Sequence, residues 1–262
     1  MFKISSPLSY LSTITLLFFI LLNAANAGAK KSLEEKVSAA LKEEYRTEAD
    51  RARDKNRAPV KALSFFGLQD DMKVIEFGPG GTAWYTKILA PVLKDKGQLY
   101  VAFDGDFLDR VLDPLMVHDG MSKIKKLPIP VKFNRKRMAY DVGKLNFGMK
   151  DADMFLSIRL YHAFTDEDAI RFHKAVYKSL KPGGRYIIVD HTRRHMEPNS
   201  SENRRRRDPV KVIKHLLDEG FEFVDYTDMF FRPDDELRYE VGRKTVTGNT
   251  DRFTFIFEKP KK

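Results

Sequence analysis

Apolar positions along the chain follow two rhythms. Between Lys31 and Arg53, Leu33, Val37, Leu41 and Tyr45 recur at four-residue steps on a charged background, which predicts a peripheral amphipathic helix. APVKALSFFGL reads as a second helix, with Pro59 in its first turn and Gly67 as its stop. Beyond Asp70, short apolar runs alternate with helical ones. KVIEF (Lys73 to Phe77), QLYVAFD (Gln98 to Asp104), PVKFNR (from Pro130), ADMFLSI (Ala152 to Ile158) and GRYIIVDH (Gly184 to His191) predict five strands. TAWYTKILAPVLKD, DFLDRVLDPLMV and DEDAIRFHKAVYKSL supply helices between them. After a helix over DPVKVIKHLLDEG come two more strands, FEFVDYT and RFTFIFEK, with no convincing helix between them. Strands joined without a crossover element pair antiparallel. The pattern predicts an α/β fold: a doubly wound, seven-stranded, mostly parallel sheet with an antiparallel last strand.

The first residues follow neither rhythm. Lys3 is the only early charge, an apolar stretch runs from Leu11 to Leu22, and Ala25-Asn26-Ala27 follows it. This predicts a secretory signal over residues 1–27, hence export to a periplasmic or extracellular space. The apolar core falls short of the ~20 residues that span a bilayer, so no stable membrane insertion is expected after cleavage. Residues 28–262 then read as a single domain, with 28–68 as a helical extension. Cysteine is absent, which excludes disulfides and thiolate zinc sites. The net charge of +10 gathers at KIKK, NRKR and RRRR, the last being Arg204 to Arg207. No aromatic residues interleave with SSENRRRRDP to stack bases, which argues against a nucleic-acid partner and for a solvated basic loop.

The stretch EFGPGGTAW places Gly78, Gly80 and Gly81 directly after an apolar strand, with Thr82 positioned to cap the next helix. Such a turn lets the backbone approach a ligand closely, and the free N–H groups of the helix start favour anionic or nucleotide-like groups. Alone it fits several nucleotides. Asp104 ends the next strand, where a carboxylate can accept ribose hydroxyls or simply start a helix. LKPGG, from Leu180 to Gly184, leads into the fifth strand.

Together these residues resemble the class I S-adenosylmethionine-dependent methyltransferases, over nearly the whole chain after the signal. RAPVKALSFFGL, VDHTRR and TDRFTFIFEKP further resemble a group of bacterial predicted methyltransferases that carry signal peptides. The resemblance implies a Rossmann-like methyltransferase fold, S-adenosyl-L-methionine as cofactor and methyl transfer as the activity. It implies that Glu76, Gly78, Gly80 and Gly81 line the methionine and ribose side, that Asp104 holds the ribose hydroxyls and that Asp141 contacts the adenine amine. The sequence departs from the usual glycine pattern at Thr82, and Pro79 stiffens the turn.

Methyl transfer, an in-line attack on a sulfonium's methyl carbon, needs alignment first, and a base only for a protonated nucleophile. Tyr161 and His162, in LSIRLYHAF at the end of the fourth strand, are candidates for that base or for substrate contact, each with a packing role as the alternative. No N-P-P-Y-type tetrapeptide stands there, which in related enzymes marks methylation of amide or exocyclic amine nitrogens. His191, from VDHTRRH, is a third candidate, paired with an acid or substrate-contacting; a metal site with His195 ranks below these. A small-molecule acceptor is the expectation. An exported binding protein that has kept the fold without transfer chemistry is the alternative from another class. A nicotinamide-dependent oxidoreductase is disfavoured by the antiparallel final pair and by the lack of a suitably placed Tyr-x-x-x-Lys couple.

Overall fold

In a computed structural model, residues 31–261 are described. The predicted signal, residues 1–27, lies outside them. No helix among the described residues is long and apolar enough to cross a membrane.

Seven strands form the main sheet: β1 (Lys73–Phe77), β2 (Gln98–Phe103), β3 (Lys125–Pro128), β6 (Ala152–Ile158), β7 (Leu180–His191), β8 (Glu222–Tyr226) and β9 (Arg252–Glu258). Their order is β3-β2-β1-β6-β7-β9-β8. The first five run parallel, and β9 lies antiparallel between β7 and β8, as predicted. The central strands are buried almost throughout because neighbouring strands and helices cover them, which is why they read as continuous apolar runs. Helices α5 (Thr86–Leu93), α6 (Gly105–Leu112), α7 (Asp166–Ser179) and α8 (Pro209–Asp218) pack on the sheet. Phe172 of α7 sits 4.5 Å from the Phe77 ring and 5.7 Å from that of Phe155, joining helix to sheet through tilted and edge-on aromatic contacts.

Two predicted elements differ here. The helix expected over Lys31 to Arg53 is broken: α1 (Leu33–Ala40) is followed by turns and by two single-turn helices, α2 (Glu48–Arg51) and α3 (Asp54–Arg57). Thr47 forces the restart, because its hydroxyl accepts from the Asp50 amide at 3.2 Å while Asp50 accepts from the Thr47 amide at 3.1 Å. The helix α4 (Pro59–Phe66) matches its prediction, down to Gly67 at φ 76°.

The third sheet strand is β3, which begins in the basic KIKK stretch; PVKFNR is not in the main sheet. Its residues Val131–Asn134 form β4, which pairs with β5 (Ala139–Val142) as a separate antiparallel hairpin. An edge strand bonds one neighbour only and tolerates lysines, so β3 carries no apolar signature. Pro130, with no N–H to donate, separates it from β4.

Candidate functional site

The glycine turn follows β1 as expected, and its backbone explains the residues. Gly78 and Gly80 have φ of 69° and 67°, the left-handed region that side chains other than glycine rarely adopt. The Gly78 amide donates to Ala102 O at 3.0 Å, tying the turn to β2. A Cβ on Gly80 or Gly81 would meet nothing within 4 Å, so both border open space, whereas one on Gly78 would lie 2.3 Å from Leu160 Cδ2. The cleft over the turn has a volume of about 220 Å³, and Glu76, Arg53, Arg57, Trp84, Arg159 and Leu160 line it with the glycines.

The helix does not start where the sequence implies. Residues 80–85 form turns, with Ala83 itself at φ 49°, and α5 begins only at Thr86 with no side-chain cap. Thr82 is exposed and caps nothing; its hydroxyl accepts from Arg53 Nη1 at 3.5 Å. The hydroxyl that reaches the site belongs to Thr86, which donates to Glu76 Oε2 at 2.6 Å. Burial pushes the Glu76 carboxyl up to about 7, against the pull of this bond and of the Arg57 charge.

The N-terminal segment reaches the same turn. Trp84 Nε1 donates to Asp50 O at 2.9 Å, and Asp50 pairs with Lys87 at 2.7 Å, both side chains being buried. This seats Arg57 with its guanidinium 4.5 Å from the Trp84 ring centre and 5.4 Å from that of Tyr85. The helical extension, in which the sequence displays no chemistry, thus puts Arg53 and Arg57 into the cleft.

Asp104 directly follows β2 and caps α6, its Oδ1 accepting from the Phe107 amide at 3.1 Å. Its second oxygen accepts no hydrogen bond from any described residue. Asp141 lies on the β4–β5 hairpin, where Asn134 Nδ2 donates to one oxygen at 2.8 Å and Arg137 pairs with the other. It therefore stands on a local salt-bridged turn, and Arg137 continues from it to the buried Asp168 at 2.7 Å.

Of the three candidates for chemistry, the structure separates the roles by burial. Tyr161 is fully buried, its ring stacked on His173 and its hydroxyl 3.1 Å from His173 Nε2, so it faces the core. Burial pushes its hydroxyl up to about 12. His191 is buried too, and its Nε2 accepts from Arg159 Nε at 3.1 Å, which leaves the proton on Nδ1. Burial, then Arg159 and His162, hold its pKa well below the ordinary histidine value. His162 is only partly buried and borders a cavity that adjoins the glycine cleft. Its Nδ1 lies 2.8 Å from Oδ1 of the fully buried Asp190, which also accepts from the His162 and His191 amides at 2.7 Å each. The acid of VDH thus orients the ring of His162 rather than that of His191. His162, Tyr140, Leu160, Ala163 and Ser200 line a cavity of about 380 Å³, and Leu160 is shared with the cleft over the glycines. His195 pairs instead with Asp208 at 3.0 Å.

The arginine run is no solvated loop. Arg206 and Asp235 form a fully buried bidentate pair at 2.8 and 2.9 Å. Arg207 pairs with Asp166 at 2.8 Å and stands over the Tyr161 ring, while Arg204 and Arg205 share Glu240. The cluster fastens the segment after β7 to the long β8–β9 connection. Its partners lie 29 to 41 residues away in sequence, so only tertiary structure displays them.

No family model and no curated protein sequence matches the chain. Solved structures do match its fold. A SAM-dependent methyltransferase from Aquifex aeolicus aligns with a TM-score of 0.57 at 14% identity, over 88% of this chain and all of that one. The [4+2]-cyclase SpnF aligns at 0.56 and 12%, over 79% and 81%. An S-adenosylmethionine-dependent methyltransferase from Mesorhizobium loti aligns at 0.51 and 14%, over 77% and 97%. At such identity the likeness speaks for the fold alone. The chain has the Rossmann-like fold of class I S-adenosylmethionine-dependent methyltransferases.

Proposed function

We propose that this protein is an exported S-adenosylmethionine-dependent methyltransferase acting on a small molecule. The observation that carries the reading is the adjacency, across Leu160, of an open-faced glycine turn and a histidine held by a buried carboxylate. The residues fit the cofactor at its methionine and ribose ends. Gly80 and Gly81 leave the space that a Cβ would occupy, Glu76 lines the cleft, and Asp104 keeps one oxygen for ribose hydroxyls. The cofactor, when bound, supplies an electrophilic methyl group on a sulfonium. Everything else is positioning by the chain.

His162 donates from Nδ1 to Asp190, so Nε2 holds the lone pair. That nitrogen takes the proton from a hydroxyl or amine acceptor, and Asp190 stabilises the imidazolium that forms. The His191 amide helps hold Asp190 from within the core. A non-catalytic binding protein is the second reading, favoured by the glycine turn that runs into turns rather than into a helix N-terminus, which removes a source of positive field.

Calorimetry against S-adenosylmethionine and S-adenosylhomocysteine tests the proposal. Both bind, and Asp104→Ala weakens both at least tenfold. His162→Gln leaves binding within twofold, as expected of a base that touches the acceptor. An unperturbed wild type that binds neither compound ends the methyltransferase reading.

A further inference from the structure

Beside the glycine cleft lies a second chamber of about 200 Å³, reached past Arg53, Arg57 and Arg159, which line both. Arg252, His191 and Asn56 belong to the second chamber alone, and no carboxylate lines it. Arg57 and Arg252 are each 8% exposed. The Arg57 guanidinium makes no hydrogen bond or ion pair with any described residue; its neighbours are the rings of Trp84 and Tyr85. Arg252 spends one donor on Asn56 O at 2.8 Å and stands over the Phe230 ring, and its buried Nε has no partner.

Such a cluster opposes folding. Burial, reinforced by the charges of neighbouring arginines, depresses the pKa of Arg57 to about 9 and that of Arg252 to about 10. The buried Arg46 and Arg206, by contrast, pair with acids, Asp54 and Asp235. Here the chain leaves several aimed at one cavity, which is costly unless something anionic completes the set. Arg159 adds strain: its φ is 60°, an uncommon conformation for a residue with a side chain, and strain of this kind gathers at ligand sites.

We propose that this chamber binds an oxyanion, a carboxylate or phosphate group, carried by the small-molecule acceptor. The inference rests on the methyltransferase reading only for the word acceptor; the anion site stands on its own geometry. Guanidinium forks match such groups bidentately, and Arg57 and Arg252 supply the unspent donors. The bound oxyanion is the handle and not the attacked atom, because arginine hydrogen bonds draw off the electron density that a nucleophile needs. His191 remains neutral, its Nε2 fixing the Arg159 guanidinium.

Inorganic phosphate and malonate, titrated calorimetrically at constant ionic strength set with chloride, test the site and separate the two oxyanion sources. At least one binds saturably to the wild-type protein, and Arg57→Gln weakens it tenfold or more. Arg53→Gln, at a half-buried position, does so in part, and Arg171→Gln on the far side of α7 has no effect. Arg252→Lys keeps the charge but loses the fork, and binds at intermediate strength. S-adenosylhomocysteine is titrated separately into each variant. If neither anion binds the wild type, or if Arg57→Gln and Arg53→Gln bind them unchanged, the anion site is refuted whatever the nucleoside does. Anion binding without S-adenosylhomocysteine binding would support the site and sink the methyltransferase reading.

Discussion

At the residue scale, Glu76 links ionisation to stability. Its pKa is about 7 in the fold against 4.5 when free, so the fold prefers its neutral form. The corresponding stability is complete below pH 4.5 and is lost as pH rises through 7. The shift amounts to about 3 kcal/mol. Glu76→Gln keeps the shape and cannot ionise, so its thermal unfolding curve gains over the wild type with increasing pH and levels off above pH 8. A variant whose advantage stayed constant from pH 5 to 8 would count against this assignment. If the carboxylate also serves the cofactor, the same change weakens S-adenosylhomocysteine binding, a trade of function for stability. Asp190 is a buried acid with three protein donors to satisfy. Asp190→Asn puts an amide where acceptors are needed and costs about 1 to 3 kcal/mol. Nitrogen-15 spectra then show His162 losing its fixed Nδ1–H tautomer, whereas a merely packed histidine would keep its spectrum.

At the element scale, the glycine turn separates folding from binding. A methyl group at Gly80 projects into the open cleft, so Gly80→Ala pays only the left-handed backbone penalty of about 1 to 2 kcal/mol. Its effect on S-adenosylhomocysteine affinity is larger, at least tenfold by calorimetry. Equal binding by the two proteins would mean that the ligand lies elsewhere. How much of this was legible follows from which forces act locally. The strands β1, β6, β7 and β9 are readable because each is an apolar run closed by turn residues, and α4 because Pro59 and Gly67 mark its ends. The strand β3 is unreadable because one neighbour and exposed lysines leave it no apolar pattern. The late start of α5 is hidden because TAWYT has helical residues, and the docking of Trp84 onto Asp50 overrides their preference. The glycines and His162 could be picked out from motif and position. Arg57 could not, since its role is created by a segment folding back onto the turn, although Arg159, a lone cation ending an apolar strand, was a signal that could have been followed.

At the scale of the whole molecule, the long β8–β9 connection has neither helix nor strand and is held by buried charge. Arg206 and Asp235 bind each other, and between them also engage Thr192 O, Tyr239 O and the amides of Leu237 and Asp251. Removing one partner strands the other without solvent. Arg206→Met should cost about 3 to 5 kcal/mol in urea unfolding, and adding Asp235→Leu should recover a large part of it. A loss below 1 kcal/mol would show that the connection is fastened by other contacts. The seating of the N-terminal segment has a different sort of consequence. Trp84 is the only tryptophan in the chain, and its indole rests between Arg46 and Arg57 at the edge of the cleft. The protein therefore carries a single indole fluorophore at the place where ligands would arrive. Selective excitation of the indole reports on the glycine cleft and its arginines with no label and no competing signal from another indole.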